Sequence, residues 1–218
     1  MKKLVVAIDG PAGAGKSTVA KRAAQALGYT YIDTGAMYRA VAWKTLRRHA
    51  PVTDALILDV VRDIDVRLSY HDGVTHVFVD GEEATDEIRT PEVSHIVSQV
   101  AALGPVREKM VDLQRAMAKE GGVLMDGRDI ATHVLPNADV KIFLTASIEE
   151  RAKRRYLELK DKGMDVDLAG IQVDIAARDK ADSERTISPL VRAEDAVLLD
   201  TTGLSINEVV ERILGLCR

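Results

Sequence analysis

Cysteine occurs once in the 218 residues, at Cys217. That excludes an intrachain disulfide and a cysteine-built metal site, and it suits a reducing compartment. Aromatic residues amount to 4%, too few for the stacking platforms that grip single-stranded nucleic acid. A basic excess is missing as well. The net charge of −4 and pI of about 5.8 offer no general attraction to duplex phosphates. No apolar run approaches the roughly 20 residues of a membrane span. The opening "MKKLVVAIDGP" sets two lysines before a short apolar run, too short for the core of an export signal. A cytoplasmic protein acting on small molecules, without membrane or nucleic-acid partners, is expected. No oligomerisation motif is evident, so a monomer is the default. The histidines (His49, His71, His76, His95 and His133) show no metal-ligand spacing.

What is present fits a globular α/β chain, with 46% apolar and 29% charged residues. Residues 3–8 ("KLVVAI") read as a buried parallel strand and 17–28 as a helix with Val19, Ala23 and Leu27 on one face. A second short strand follows at 29–33, then a helix from 34 to about 50, ahead of Pro51. Further strands are expected at 122–126, 139–146 and 195–201. The last precedes a helix with Ser205 and Glu208 in capping-box spacing. Strands alternating with helices predict a parallel sheet covered on both faces. One region breaks that rhythm. Residues 65–85 place Asp72-Gly73 and Asp80-Gly81 between runs rich in Val, Tyr, Phe and Thr. That pattern predicts a small antiparallel insertion.

"GPAGAGKST" spans Gly10, Pro11, Ala12, Gly13, Ala14, Gly15, Lys16, Ser17 and Thr18. It satisfies G-x-x-x-x-G-K-[ST] between a strand and a helix, the context that motif requires. Glycines let successive backbone N–H groups turn toward phosphate oxygens, and the helix N-terminus adds partial positive charge. Lys16 can reach the β- and γ-phosphates of a nucleoside triphosphate, and the Ser17 hydroxyl can ligate Mg²⁺. The fold class is therefore α/β, with a P-loop NTPase-type parallel sheet of about five strands. The motif alone does not separate kinases, switch GTPases and mechanical ATPases. No Asn-Lys-x-Asp guanine-reading sequence occurs, whereas arginines stand at element ends: Arg39, Arg107, Arg128, Arg178 and Arg185. Such residues suit a second anion site. Asp126, ending an apolar strand, is the candidate to hold Mg²⁺ through water. A kinase acting on a hydroxyl acceptor, with Asp33 as general base, stays open at this level. So does a switch protein that hydrolyses slowly.

Seven segments in register over about 4–214 resemble the bacterial cytidylate kinase family. They are "IDGPAGAGKST", "YIDTGAMYRA", "SQVA" followed by "VRE", "DGRDI", "KIFLTAS", "ERAKRR" and "RDKADSER…SPL". The resemblance implies transfer of the γ-phosphoryl group of ATP, with Mg²⁺, to CMP or dCMP. It implies that Thr34 and Arg39 hold the acceptor phosphate, and that Ser98, Arg107 and Asp129 read cytosine. It makes Arg128 a clamp between donor and acceptor, and Arg178, Asp182 and Arg185 ribose- and phosphate-binding residues. Lys16, Arg128, Arg178 and Arg185 would be catalytic. Arg151, Arg154 and Arg155 would belong to a mobile lid over the donor. The expected organisation is one domain: a core at about 1–34, 121–148 and 190–218, a monophosphate-binding region at 35–120, and a lid at 149–189.

Overall fold

A computed structural model describes residues 3–71, 73–161 and 163–218. The first apolar run forms β1 (Val5–Asp9), and the phosphate loop leads from it into α1 (Lys16–Leu27). Then come β2 (Thr30–Asp33) and α2 (Thr34–Leu46). An excursion follows, comprising α3 (Asp54–Asp63), β3 (Val66–His71), β4 (Val74–Val79), β5 (Glu82–Glu83), α4 (Pro91–Ala102) and α5 (Gly104–Ala118). The chain returns through β6 (Val123–Gly127), a single π turn (Ile130–Val134) and β7 (Val140–Thr145). It finishes with α6 (Ile148–Asp161), α7 (Leu168–Glu184), β8 (Val197–Asp200) and α8 (Ile206–Leu216).

Five strands make one sheet in the order β2-β6-β1-β7-β8, and every neighbouring pair is parallel. Parallel strands buried on both faces need near-continuous apolar runs, which is what β1 and β6 supply. Alternate residues serve opposite layers. Val6 and Ile8 pack with α1 and α8 through Val19, Ala23, Val209 and Ile213. Ala7 faces the other way, with Met125, Val111, Ile130 and Val134. A third cluster unites α2 to α5 with the smaller sheet, around Met37, Ile57, Val77 and Met110. No helix among the described residues is long and apolar enough to cross a membrane.

The expected elements form, with shifted ends. The helix after β2 stops at Leu46 rather than near 50. Its last turn tightens, with Arg48 N–H donating to Thr45 and His49 N–H to Leu46, and His49 enters the left-handed region at φ 50. The insertion is a three-stranded antiparallel sheet, β3-β4-β5. Its second turn uses Asp80 and Gly81 at φ 52 and 86, the pair of positive values that a two-residue hairpin turn requires. In the first turn Asp72 lies outside the described residues, while His71 and Val74 pair across it. The capping box on α8 closes in both directions, Ser205 N–H to Glu208 at 2.8 Å and Glu208 N–H to Ser205 Oγ at 3.3 Å.

The start of the phosphate loop depends on a missing side chain. Gly10 sits at φ +151, and a Cβ there would lie 1.9 Å from the Leu144 carbonyl oxygen of β7. Backbone cannot yield as a flexible side chain can. Gly28 ends α1 at φ +67, and a Cβ there would meet nothing within 4 Å. Gly10→Ala should therefore cost more than Gly28→Ala, whose penalty is the left-handed strain of about 1–2 kcal/mol. Urea denaturation of the two variants checks this, and equal losses would refute the steric account.

Candidate active site

All five strands of the parallel sheet run the same way, so the loops after β1, β2 and β6 leave from one edge. β1 sits at the switch point, with β6 on one side and β7 on the other, where open α/β sheets form their binding crevice. The phosphate loop occupies that point. Gly15 takes a left-handed conformation at φ 88 immediately before α1. Lys16 is buried, and its Nζ donates to the Gly10 and Pro11 carbonyls at 2.7 Å each. Burial, followed by the nearby Arg128 guanidinium, pushes the Lys16 ammonium well below its usual range.

Asp126, near the end of β6, receives Ser17 Oγ–H at 3.1 Å and the Tyr31 hydroxyl at 2.6 Å. Its backbone carbonyl receives the Thr34 hydroxyl at 2.8 Å. Burial, with the Asp33 carboxylate nearby, raises the Asp126 carboxyl to about 6. Ser17 Oγ and one carboxylate are hard oxygen donors, too few for an all-protein cage. No cluster of three or more His, Cys, Asp or Glu that could hold a metal occurs among the described residues. That donor set fits Mg²⁺, which keeps waters and takes further oxygens from phosphates.

Facing the loop is a cleft lined by Thr34, Ser98, Arg107, Arg128, Asp129, Arg178, Asp182 and Arg185. These residues come from α2, α4, α5, the β6 end and α7, yet they converge on one space. Arg107 forms a short buried ion pair with Asp129. Arg185 approaches the other Asp129 oxygen at 3.6 Å, and Arg128 Nε pairs with Asp182 at 2.8 Å. Three arginine nitrogens of this cleft, Arg107 Nε, Arg178 Nε and Arg185 Nη2, are buried without a hydrogen-bond partner. Burial and the neighbouring Arg128 lower Arg178 to about 10.

Arg39 stands apart from the lining residues. Its Nη1 donates to Ser94 Oγ at 2.8 Å and to the Ile88 carbonyl at 3.4 Å, and burial lowers its pKa. The three expected lid arginines also part company. Arg151 is buried, with its guanidinium on the Ala12 and Ala146 carbonyls and on Asp179. Arg154 reaches Thr201 and, at 3.5 Å, the Ala14 carbonyl. Arg155 is half-buried and pairs with Glu158, and its charge also bears on Arg39 and Arg178. Asp33, the base of the hydroxyl-kinase alternative, is engaged elsewhere. One oxygen caps α2 through Ala36 N–H at 3.0 Å, and the other pairs with Arg89 at 3.1 Å.

Sequence reasoning missed Tyr38. It lines the cleft, with the Arg107 guanidinium 5.5 Å over its ring. Burial pushes its hydroxyl up to about 12. The signal was available, since Tyr38 follows Thr34 by four residues and so shares its helix face.

A phosphate loop at the switch point of a parallel sheet, facing a cleft rich in arginine, defines a P-loop phosphotransferase. Solved structures agree on the fold. An uncharacterised protein from Eubacterium ventriosum superimposes with TM-score 0.53, at 15% identity over 98% of this chain and 97% of its own. A gluconokinase from Sinorhizobium meliloti gives 0.50, at 15% identity over 99% and 91%. The cytidylate kinase family model matches residues 6–218. The chain is 56% identical to a cytidylate kinase of Desulfitobacterium hafniense, covering 99% of this chain and 93% of that one. With a cytidylate kinase of Caldicellulosiruptor bescii identity is 53%, covering 99% and 96%. The chain belongs to the cytidylate kinase family, and is a kinase.

Asp126 links site chemistry to stability. Its carboxyl rises from 3.8 to about 6 on folding, so between those values the native state binds more protons than the unfolded chain. Stability therefore falls as pH rises through that window, opposite to an ordinary salt-bridged carboxylate. Asp126→Asn keeps an acceptor for Tyr31 and removes the buried charge. In the ligand-free protein at pH 7.5 it should be more stable than wild type, by up to about 3 kcal/mol, with the gain vanishing below about pH 4. Thermal melts across that range test this; a variant less stable at pH 7.5 would contradict it.

Proposed function

We propose that this chain transfers the γ-phosphoryl group of ATP to CMP and dCMP, yielding ADP with CDP or dCDP. The observation that carries the reading is the set of buried arginine donors without a hydrogen bond, on Arg107, Arg178 and Arg185, in the cleft opposite the phosphate loop. Buried donors are nearly always satisfied. Oxygen-rich anions and a base edge would satisfy these.

In this reading the loop backbone and Lys16 hold the β- and γ-phosphates, with Lys16 exchanging its two carbonyl partners for phosphate oxygens. Ser17, and Asp126 through water, would hold Mg²⁺, which would supply charge neutralisation to the phosphates. Thr34 and Arg39 receive the acceptor phosphate, and Arg128 stands between it and the donor. Arg178 and Arg185 neutralise the transferring group, while Asp182 accepts from the sugar hydroxyls. Asp129 accepts from the exocyclic amine of cytosine, and Arg107 and Ser98 donate to its ring nitrogen and carbonyl. Uracil reverses that pattern and leaves buried groups unpaired. A monophosphate acceptor is already an oxyanion, so positioning and charge neutralisation suffice and no general base is needed.

We read the chain as one domain with the core, monophosphate region and lid set out above. Arg151, Arg154 and Arg155 act from the lid, whose closure excludes water and prevents idle hydrolysis. The reading extends to a monomer in the cytoplasm acting on free nucleotides. A net charge of −4 is in keeping with that, since it gives a nucleic-acid backbone no general attraction.

ADP formation from Mg-ATP should be strong with CMP and dCMP, weak with UMP, and near zero with AMP, shikimate or no acceptor. Arg128→Ala should lower turnover by about 10²–10³, and Lys16→Ala by more. Equal rates on all nucleotides would reject the roles of Ser98, Arg107 and Asp129. Near-normal turnover in either variant would sink the mechanism.

A further inference from the structure

Asp9 ends β1 and is 2% exposed, directly before the phosphate loop. Its two oxygens accept from two successive backbone groups 121 and 122 residues away: Oδ1 from Ile130 N–H at 2.8 Å, and Oδ2 from Ala131 N–H at 2.8 Å. Those are the first N–H groups of the π turn that follows Asp129. An aspartate in Asp129's position ordinarily folds its own carboxylate back onto the second or third of the turn's N–H groups, here Ala131 or Thr132. Asp129 makes no such bond, and its carboxylate is turned to Arg107 and Arg185 instead.

We infer that Asp9 caps this turn in trans, and thereby frees the Asp129 carboxylate to face the cleft. Asp9 is then a positioning residue for base recognition, an assignment that rests on the acceptor reading above. The far end of the turn is fixed by opposite chemistry. Arg115 on α5 donates to the His133 and Val134 carbonyls at 2.9 and 3.0 Å. A carboxylate on the N–H end and a guanidinium on the carbonyl end are the pairing that backbone polarity favours. Ile130, Ala131 and Val134 are buried between them, so the turn has no water to fall back on. Besides the turn, the charged groups bearing on Asp9 are Asp129 and Lys16. A counter-charge role toward Lys16 is the competing account.

Asp9→Asn preserves shape but turns one acceptor into a donor aimed at an N–H group. The KM for CMP should rise about tenfold, and the CMP-over-UMP ratio of kcat/KM should fall by a similar factor. The KM for ATP should stay within about twofold. In an Asp129→Ala background the selectivity effect should disappear, since nothing remains to be positioned. A raised KM for ATP with unchanged CMP selectivity would assign Asp9 to Lys16 and overturn the inference. Losses that simply add in the double variant would do the same. Should Asp9→Asn fail to fold, hydrogen exchange on Asp129→Ala decides alone. Protected Ile130 and Ala131 amides support capping by Asp9, whereas their loss of protection means Asp129 was the cap. Wild-type protein without CMP turnover would remove the acceptor reading, and with it the role in recognition. CMP turnover with unaltered selectivity in Asp9→Asn would overturn this inference alone.

Discussion

One buried carboxylate holds the site together. Asp126 takes the hydroxyl of Ser17 from α1 and that of Tyr31 from β2, while its carbonyl takes Thr34 at the start of α2. Three successive elements are thereby referenced to the end of β6, which is remote from them in sequence. Burial makes the charge expensive, and its pKa of about 6 records that cost. An isolated buried charge is unstable unless compensated, and here Lys16 and two hydroxyls compensate only in part. The group nearest the candidate metal position is thus under electrostatic load, which a divalent cation would relieve.

Opposite charge under the same constraint builds the far side of the cleft. Arg107 and Arg185 share Asp129, and Arg128 takes Asp182. Arg178 has its Nε unpartnered, and its pKa falls to about 10 through burial and the neighbouring Arg128. Guanidinium groups remain charged at neutral pH whatever this loss. Their mutual repulsion is therefore relieved by an anion and not by deprotonation. Donor and acceptor sides thus hold complementary deficits, of positive charge near Asp126 and of negative charge near Arg178.

How much of this was legible in the sequence follows from the range of each contact. The phosphate loop, the strand that feeds it and the Ser205–Glu208 box are local, with every partner within a few residues, and they could be read directly. The Asp80-Gly81 turn was readable because only certain residues tolerate two positive φ values. Helix ends were less so: nothing in "RRHA" announces that His49 turns left-handed at φ 50. Of the acceptor residues, Arg107 could be picked out as an arginine at an element end, but its role toward the base, like that of Thr34 toward the phosphate, came only from the family resemblance. Arg39 and Arg155 each belong to a matching segment, and their side-chain partners could not be read from it. Arg39 donates to Ser94 and Arg155 pairs with Glu158. Asp9 escaped notice because its partners, the Ile130 and Ala131 amides, are remote in sequence, whereas Tyr38 was within reach of a helix-face argument from Thr34. Asp9 sits beside the loudest motif in the chain and was overshadowed by it.

The apolar clusters differ in how firmly they anchor the helices around the cleft. The main layers are joined by large apolar clusters around Met37, Ile8 and Met125. α6 and α7 meet through Ala152, Ile171 and Ile175, with Tyr156, Leu159 and Val166 against them. Thin apolar anchorage places a segment at the low-stability end of a fold. Polar contacts supply much of what else holds this pair: Arg151 on the Ala12 carbonyl, Arg154 on Thr201 and Arg128 on Asp182. These reach the donor loop and the acceptor cleft. An oxyanion between Arg128 and Arg178 would cancel their repulsion, and α7 is the less firmly anchored of the elements that carry them. Charge arriving in the cleft would thus bear on the pair of helices that, among the described residues, shares the smallest apolar cluster.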